Sequence, residues 1–394
     1  MKLKISVLLF SALAALGCGG AGPPTGVASA QTHSEKPSPT PVPADVISIA
    51  AVGDIMLASP FPDDTRMPPN DGKGMLSAAE PILSAADIAF GNMEGPIVDT
   101  GMSEKCKPKT PKPPAGQAAP TPTPDPSATP KKPEPIRCYA FRMPTRYAKY
   151  LKEAGFDVMS IANNHAGDFG VAGRTSTRRS LEAQGIKHTG GDRLKLAIAY
   201  LDVKGKRIAF VGFAHNNINP NVNDLAAARR LVQEADKQAD IVVVSFHGGA
   251  EGSAYQNVPK QTEVFLGEKR GNLPLFARTV IDAGADLVLG HGPHVLRGME
   301  VYKDRLIAYS LGNFATYGWF SLRGPTALTM ILETHLAADG KFVGGKIHAG
   351  RQEGRGIPVL DPSGEAIKTV RSLSNSDFGL TAPKIADDGT IGKR

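Results

Sequence analysis

From Val46 onward the chain alternates short, continuous apolar runs with stretches of helical spacing, and this alternation predicts an α/β fold. The first run, Val46-Ile-Ser-Ile-Ala-Ala-Val52, is β-rich and has the apolar continuity of a strand buried on both faces. Helical spacing follows over 74–84, a strand from Asp87 to Asn92, a helix over 144–154 closed by Gly155, and a strand from Phe156 to Ala162. A helix over 174–184 ends at Gly185, which supplies the left-handed position of a C-terminal cap. Leu196–Val203 and Lys206–Phe213 form a hairpin about Lys204-Gly205. Helices over 223–237 and 274–283 lead into strands Asp240–Phe246 and Asp286–Leu289, and hairpin-like pairs follow at 298–310 and 326–349. The pattern predicts a mixed sheet, or two sheets, flanked by helices, with residues 375–394 as a C-terminal tail.

Two segments do not fit a core. Residues 18–45 hold six Pro and no aromatic residue, and residues 104–137 hold eleven Pro. Neither can bury enough apolar surface to offset its ordering entropy, so the first reads as a tether and the second as a Pro-rich surface insertion. Cys106 and Cys138 stand at the two ends of that insertion, and in an exported chain a bridge at its base is the natural reading, with two free thiols as the alternative. Such a bridge contributes roughly 3–4 kcal/mol on the chain-entropy model.

Residues 1–17 read as a signal peptide. Lys2 and Lys4 give a positive start, and Ile5 to Leu16 an apolar run too short to span a bilayer. The run ends at Ala15-Leu16-Gly17-Cys18, which resembles a bacterial lipobox and makes Cys18 the candidate lipidation site. Cleavage at Ala28-Ser29-Ala30 and an uncleaved anchor are the alternatives. All three predict an exported envelope protein, held to a membrane if Cys18 is lipidated. The formal charge of +7 sits largely in the leader and in the insertion, where residues 104–137 carry seven Lys/Arg against three Asp/Glu. Without these the body is near neutral, which argues against nucleic acid as a partner.

Candidate chemistry lies at the ends of strands. Five of them finish in groups able to bind a cation: Gly53-Asp54, Gly91-Asn-Met-Glu94, Asn163-Asn164-His165 followed by Asp168, His247-Gly-Gly249, and Gly290-His291-Gly-Pro-His294. Open α/β sheets bind ligands beyond the carboxyl ends of their strands, where loops converge. A single strand-end Asp is most often a turn residue, and Asn163-Asn164 alone is an Asx turn. Five coincident ends point instead to a metal centre. Carboxylate, imidazole and amide donors without thiolate suit Mn, Zn or Fe, and so many donors are economical for a two-metal cluster. His165 can then exchange a proton with a leaving group without ligating, while Asp168 either orients it or caps the next helix. Arg142 in Tyr139-Ala-Phe-Arg142 either neutralises a substrate anion or is an ordinary surface arginine.

These blocks, together with Tyr309-Ser-Leu-Gly-Asn-Phe314, resemble the CapA family of capsule and poly-γ-glutamate synthesis proteins, a branch of the calcineurin-like metallophosphoesterase superfamily. The resemblance covers about residues 48–316 and a weaker stretch from Gly356 to Phe378, setting the domain at 46–374. It implies a four-layer α/β/β/α sandwich with two divalent metal ions held by Asp54, Glu94, Asn164, His247, His291 and His294, and with His165 beside the leaving group. The implied partners are an anionic envelope polymer or its precursor and other capsule-synthesis proteins. Three functions follow: a metal-dependent hydrolase or transferase acting on that polymer, a non-catalytic protein that holds it, and a general exported phosphoesterase.

Overall fold

The computed structural model describes residues 45–106, 138–191 and 198–394. The signal peptide, Cys18, the tether and residues 107–137 of the insertion lie outside the described residues. Among those described, no helix is long and apolar enough to cross a membrane.

Two sheets form the centre. The larger has ten strands and contains Ile47–Met56 flanked by Ile88–Met93 in parallel and Leu328–Leu336 antiparallel. The smaller has six, with Lys206–Ala214, Ile241–His247 and Leu287–His291 running parallel through its middle. Period-two alternation decides how they stack. Ile47, Ile49 and Ala51 face the second sheet with Phe90 and Val158, meeting Phe210, Val243, Leu289 and Leu306 in one continuous core. The rings of Phe90 and Phe210 stack across it with centroids 5.4 Å apart. The alternate residues Ala50, Val52 and Ala89 face outward to the helices Glu80–Leu83, Ala148–Glu153 and Gly170–Ala183 through Leu83, Leu151 and Leu181. On the far side, Val242, Val244 and Val288 pack against Leu225–Asp236 and Leu273–Ile281 through Val232, Phe276 and Val280. The order of layers is therefore helix, sheet, sheet, helix.

Some elements differ from the sequence reading. Only Glu80–Leu83 of the stretch 74–84 is helical, because Gly72 and Gly74 take left-handed φ values of 76° and 80° that hold the preceding residues in turns. The strand expected over 156–162 is limited to Val158–Ser160, since the chain bends there into the Asn163–Asp168 turn. Residues 375–394 are not a tail. The helix Glu365–Phe378 buries Ala366, Ile367 and Val370 against the intersheet core, and Lys384–Ile385 and Thr390–Gly392 extend the larger sheet by pairing from Phe342–Glu353. The folded unit thus continues past residue 374. Cys106 and Cys138 are joined by a disulfide, with their Cα atoms 5.6 Å apart.

Candidate metal centre

The carboxyl ends of the central parallel strands in both sheets open onto one place. Asp54 lies opposite Asn92 on one side and Asn313 on the other, while in the second sheet His291 lies opposite His247. Close packing of the backbone makes this possible. A Cβ on Gly53 would lie 2.0 Å from the Gly312 carbonyl oxygen, and only glycine lets Asp54 N–H donate to that oxygen at 3.0 Å. Glu94 follows the second strand, its N–H donating to the Ile55 carbonyl. His294 adopts φ 59°, a left-handed conformation that costs a non-glycine residue about 1 kcal/mol and turns its ring back toward Asp54.

Asp54, Glu94 and His294 are all buried and offer ligating atoms within 4.8 Å of one another. His294 Nδ1 lies 2.9 Å from Asp54 Oδ2 and 3.0 Å from Asn313 Oδ1. Asn92 Nδ2 donates to Asp54 Oδ1 at 2.7 Å and lies 3.3 Å from His247 Nδ1. Three imidazole nitrogens surround Glu94 Oε1: His247 Nε2 at 3.7 Å, His294 Nε2 at 3.8 Å and His165 Nε2 at 3.9 Å. None of these is a hydrogen bond, and both Glu94 oxygens and His247 Nε2 are buried with no hydrogen-bond partner. Leaving such groups open costs about 1–3 kcal/mol each. Several gathered in one place indicate that the chain reserves them for something else.

The electrostatics agree. Burial would lower His294, but the Glu94 and Asp54 carboxylates override it and raise the imidazole to about 10. Burial would raise Asp54, yet its hydrogen bond and attraction to His294 hold it below the usual carboxylate range. Burial pushes Glu94 well up, with the Asp54 and Glu251 charges adding to that rise. Burial lowers His247 far below the usual imidazole value, helped by the neighbouring His215 and His294. The two carboxylates thus call for positive charge at His294, and a divalent cation held there would take the place of that proton and free an imidazole nitrogen to ligate. Oxygen and nitrogen donors in this geometry fit a divalent cation.

His165 sits at the rim of the cluster. Its Nδ1 lies 2.7 Å from Asp168 Oδ2 and 3.2 Å from Lys105 Nζ, leaving Nε2 toward Glu94. Asp168 also accepts the Phe141 N–H at 2.7 Å, and the Phe141 ring stacks on the imidazole with centroids 3.7 Å apart. Asp168 does not cap the following helix, whose N-terminus has no side-chain cap. Asn163 takes the Asx-turn role by accepting the His165 N–H, and it donates to the Met93 carbonyl. Asn164 is half-buried, and its Oδ1 is buried without a hydrogen-bond partner.

Two further expected residues make contacts of their own. His291 is buried beside the cluster, with its Nε2 3.2 Å from the Val52 carbonyl and its Nδ1 3.5 Å from Ser245 Oγ. Arg142 donates to the Pro60 and Gly101 carbonyls and packs over Phe61 and Phe169, while its Nε is buried without a hydrogen-bond partner. Reading by residue type also passed over Asn92 and Asn313, although both lie in the blocks singled out. It missed Glu251 and buried Arg270 as well, which pair at 2.6 Å in the wall beside His247.

Comparison with known proteins follows the same residues. The family model described as bacterial capsule synthesis protein PGA_cap matches residues 48–317. The PGA biosynthesis protein CapA of Bacillus subtilis is 32% identical over 312 residues, which cover 75% of this chain and 69% of that protein. The capsule biosynthesis protein CapA of Bacillus anthracis is 32% identical over 230 residues, covering 54% of this chain and 52% of its own length. Among solved structures, a putative 5'-nucleotidase from Staphylococcus aureus superposes with a TM-score of 0.42 and 13% identity, covering 84% of this chain and 58% of that one. The chain belongs to the bacterial capsule synthesis protein family.

Proposed function

We propose that this protein is an exported, lipid-anchored member of the family that uses a divalent metal ion to hydrolyse or transfer a bond in an anionic envelope polymer or its precursor. The observation that carries this reading is the set of buried, unpartnered carboxylate and imidazole atoms around Glu94. A cation held there supplies Lewis-acid polarisation of a carbonyl or phosphoryl oxygen and activation of water. Asp54, Glu94 and His294 would hold it, with His247 beside them. This donor set suits one ion among the described residues. The second of two ions would draw on Asn164, His247 and His291, and His291 Nε2 is bonded to the Val52 carbonyl.

The remaining work falls to His165. Asp168 fixes Nδ1 and the Phe141 ring fixes the plane of the imidazole, so Nε2 is the nitrogen that gives or takes a proton at the reacting group. Burial lowers His165 and biases the ring toward its neutral, proton-accepting form, while the Asp168 charge works against that shift.

The test is metal content and turnover of the purified full chain on poly-γ-glutamate and on phosphoester substrates. About one equivalent of Mn, Zn or Fe with turnover on either class supports the proposal. A metal-loaded, folded and inert protein favours polymer holding, and a protein that takes up no metal sinks the catalytic reading. Cys18→Ser should abolish lipid labelling and leave the folded domain intact; unchanged membrane partitioning would remove the lipid anchor from the account.

A further inference from the structure

Beside the cluster lies a cleft of about 320 Å³ that none of the chemistry above uses, lined by Phe61, Arg66, Cys106, Cys138, Tyr139 and Trp319. It is coupled to the metal centre by direct ring contact. Phe141, stacked on His165, also packs against Trp319 at 4.4 Å, and the next residue, Phe320, packs against His294 at 4.5 Å. The Trp319-Phe320 pair therefore forms the border between cleft and cluster.

Among the described residues, Arg66 is the one charged residue that lines the cleft, and two donors there lack acceptors. The Arg66 guanidinium lies 4.1 Å over the Trp319 ring. Its Nε and the Trp319 Nε1 are both buried with no hydrogen-bond partner, two donors facing no acceptor. Arg355 borders the same loop, donating to the Thr65 carbonyl and lying against Gly318 together with Arg66. Arg142 supports Phe61 from behind. Among the described residues, none of these three arginines forms an ion pair with a carboxylate. Asp63, whose carboxyl Arg66 helps to hold low, has its oxygen bonded to the Thr65 N–H and hydroxyl. A guanidinium that forms no ion pair, next to an indole N–H, is a donor set for an oxyanion.

We propose that this cleft is the subsite for an oxyanion of the substrate, a carboxylate or a phosphate, with Arg66 as its charged clamp and Trp319 as donor and stacking wall. The proposal rests on the reading of the adjacent cluster as a reaction centre. It makes the substrate a molecule that carries an anionic group near the bond that reacts.

Trp319 is the chain's only tryptophan, so its fluorescence reports on this cleft alone. The full chain, kept in chelator, would be titrated with poly-γ-glutamate, with tripolyphosphate and with uncharged dextran. A saturable change with poly-γ-glutamate alone assigns a carboxylate, with tripolyphosphate alone a phosphate, and with both an unselective oxyanion site. Dextran should do nothing. Arg66→Met, which keeps the packed stem, should weaken the anion about tenfold or more, with Arg66→Lys in between. No saturation by either anion would overturn the proposal, as would unchanged affinity in Arg66→Met. Because the metal is chelated and no turnover is read, failure here is separate from failure of the metallohydrolase reading.

Discussion

Glu94 and Glu333 are both glutamates surrounded by histidine rings, and they sit in opposite chemical situations. Glu333 is partly exposed on the antiparallel half of the larger sheet, and its two oxygens are each closed by one imidazole, His335 Nε2 at 2.8 Å and His348 Nε2 at 2.9 Å. Those two bonds hold its carboxyl far below the usual range. Glu94 has no exposure and three imidazole nitrogens at 3.7–3.9 Å, and it bonds to none of them. Burial drives its carboxyl up instead of down. The same residue types thus make a finished surface network in one place and an open, prearranged set of donors in the other. Geometry and satisfaction of hydrogen bonds separate a structural cluster from a functional one, and residue identity does not.

The comparison can be broken by mutation. The largest effect is expected from Glu94→Gln: metal content falls to near zero and turnover drops at least about a hundredfold, while Glu333→Gln leaves both unchanged. Elemental analysis beside an activity assay checks this. Equal losses in the two variants would end the distinction. Next comes His165→Ala, expected to keep fold and metal and to lose about a hundredfold in turnover. Loss of metal in that variant would make His165 a ligand. A smaller effect attaches to the disulfide. Replacing Cys106 and Cys138 by Ser should cost about 3 kcal/mol in denaturant unfolding and raise the mobility of adjacent Lys105, which lies 3.2 Å from His165. Unchanged stability would show that the loop base is held by packing alone.

The smallest effect is on pH. Folded Glu333 has its carboxyl below the ordinary value of 4.5, so its contribution is complete above that pH and is lost as pH falls toward the folded value. Wild type should therefore exceed Glu333→Gln by about 1 kcal/mol at pH 6, with the gap narrowing toward pH 4. A gap that widens on acidification would contradict the closed network.

Much of this was legible in the chain itself. The continuous run Val46–Val52, the Lys204-Gly205 hairpin and the strand–helix alternation over 223–289 depend on local pattern, and the folded elements follow them closely. Asp54, Glu94 and His294 stood out because donor groups recur at five strand ends, which isolated turn residues do not explain. His291 could not be read in the same way, since its bond partner, the Val52 carbonyl, is 239 residues away. Arg142 depends likewise on where the loops at Pro60 and Gly101 come to rest. Asn313 gains its place only because its strand pairs in parallel beside Asp54. The strands after residue 380 are too short and polar to show a period, and they exist because Phe342–Glu353 offers them an edge.

The central claim is that the open cluster, and not the closed one, takes the metal. Anomalous X-ray scattering from crystals of the full chain grown with Mn tests it most directly. The account predicts one strong peak within ligating distance of Asp54, Glu94 and His294, and none beside Glu333. A peak between His335 and His348, or no peak at Glu94, would contradict it.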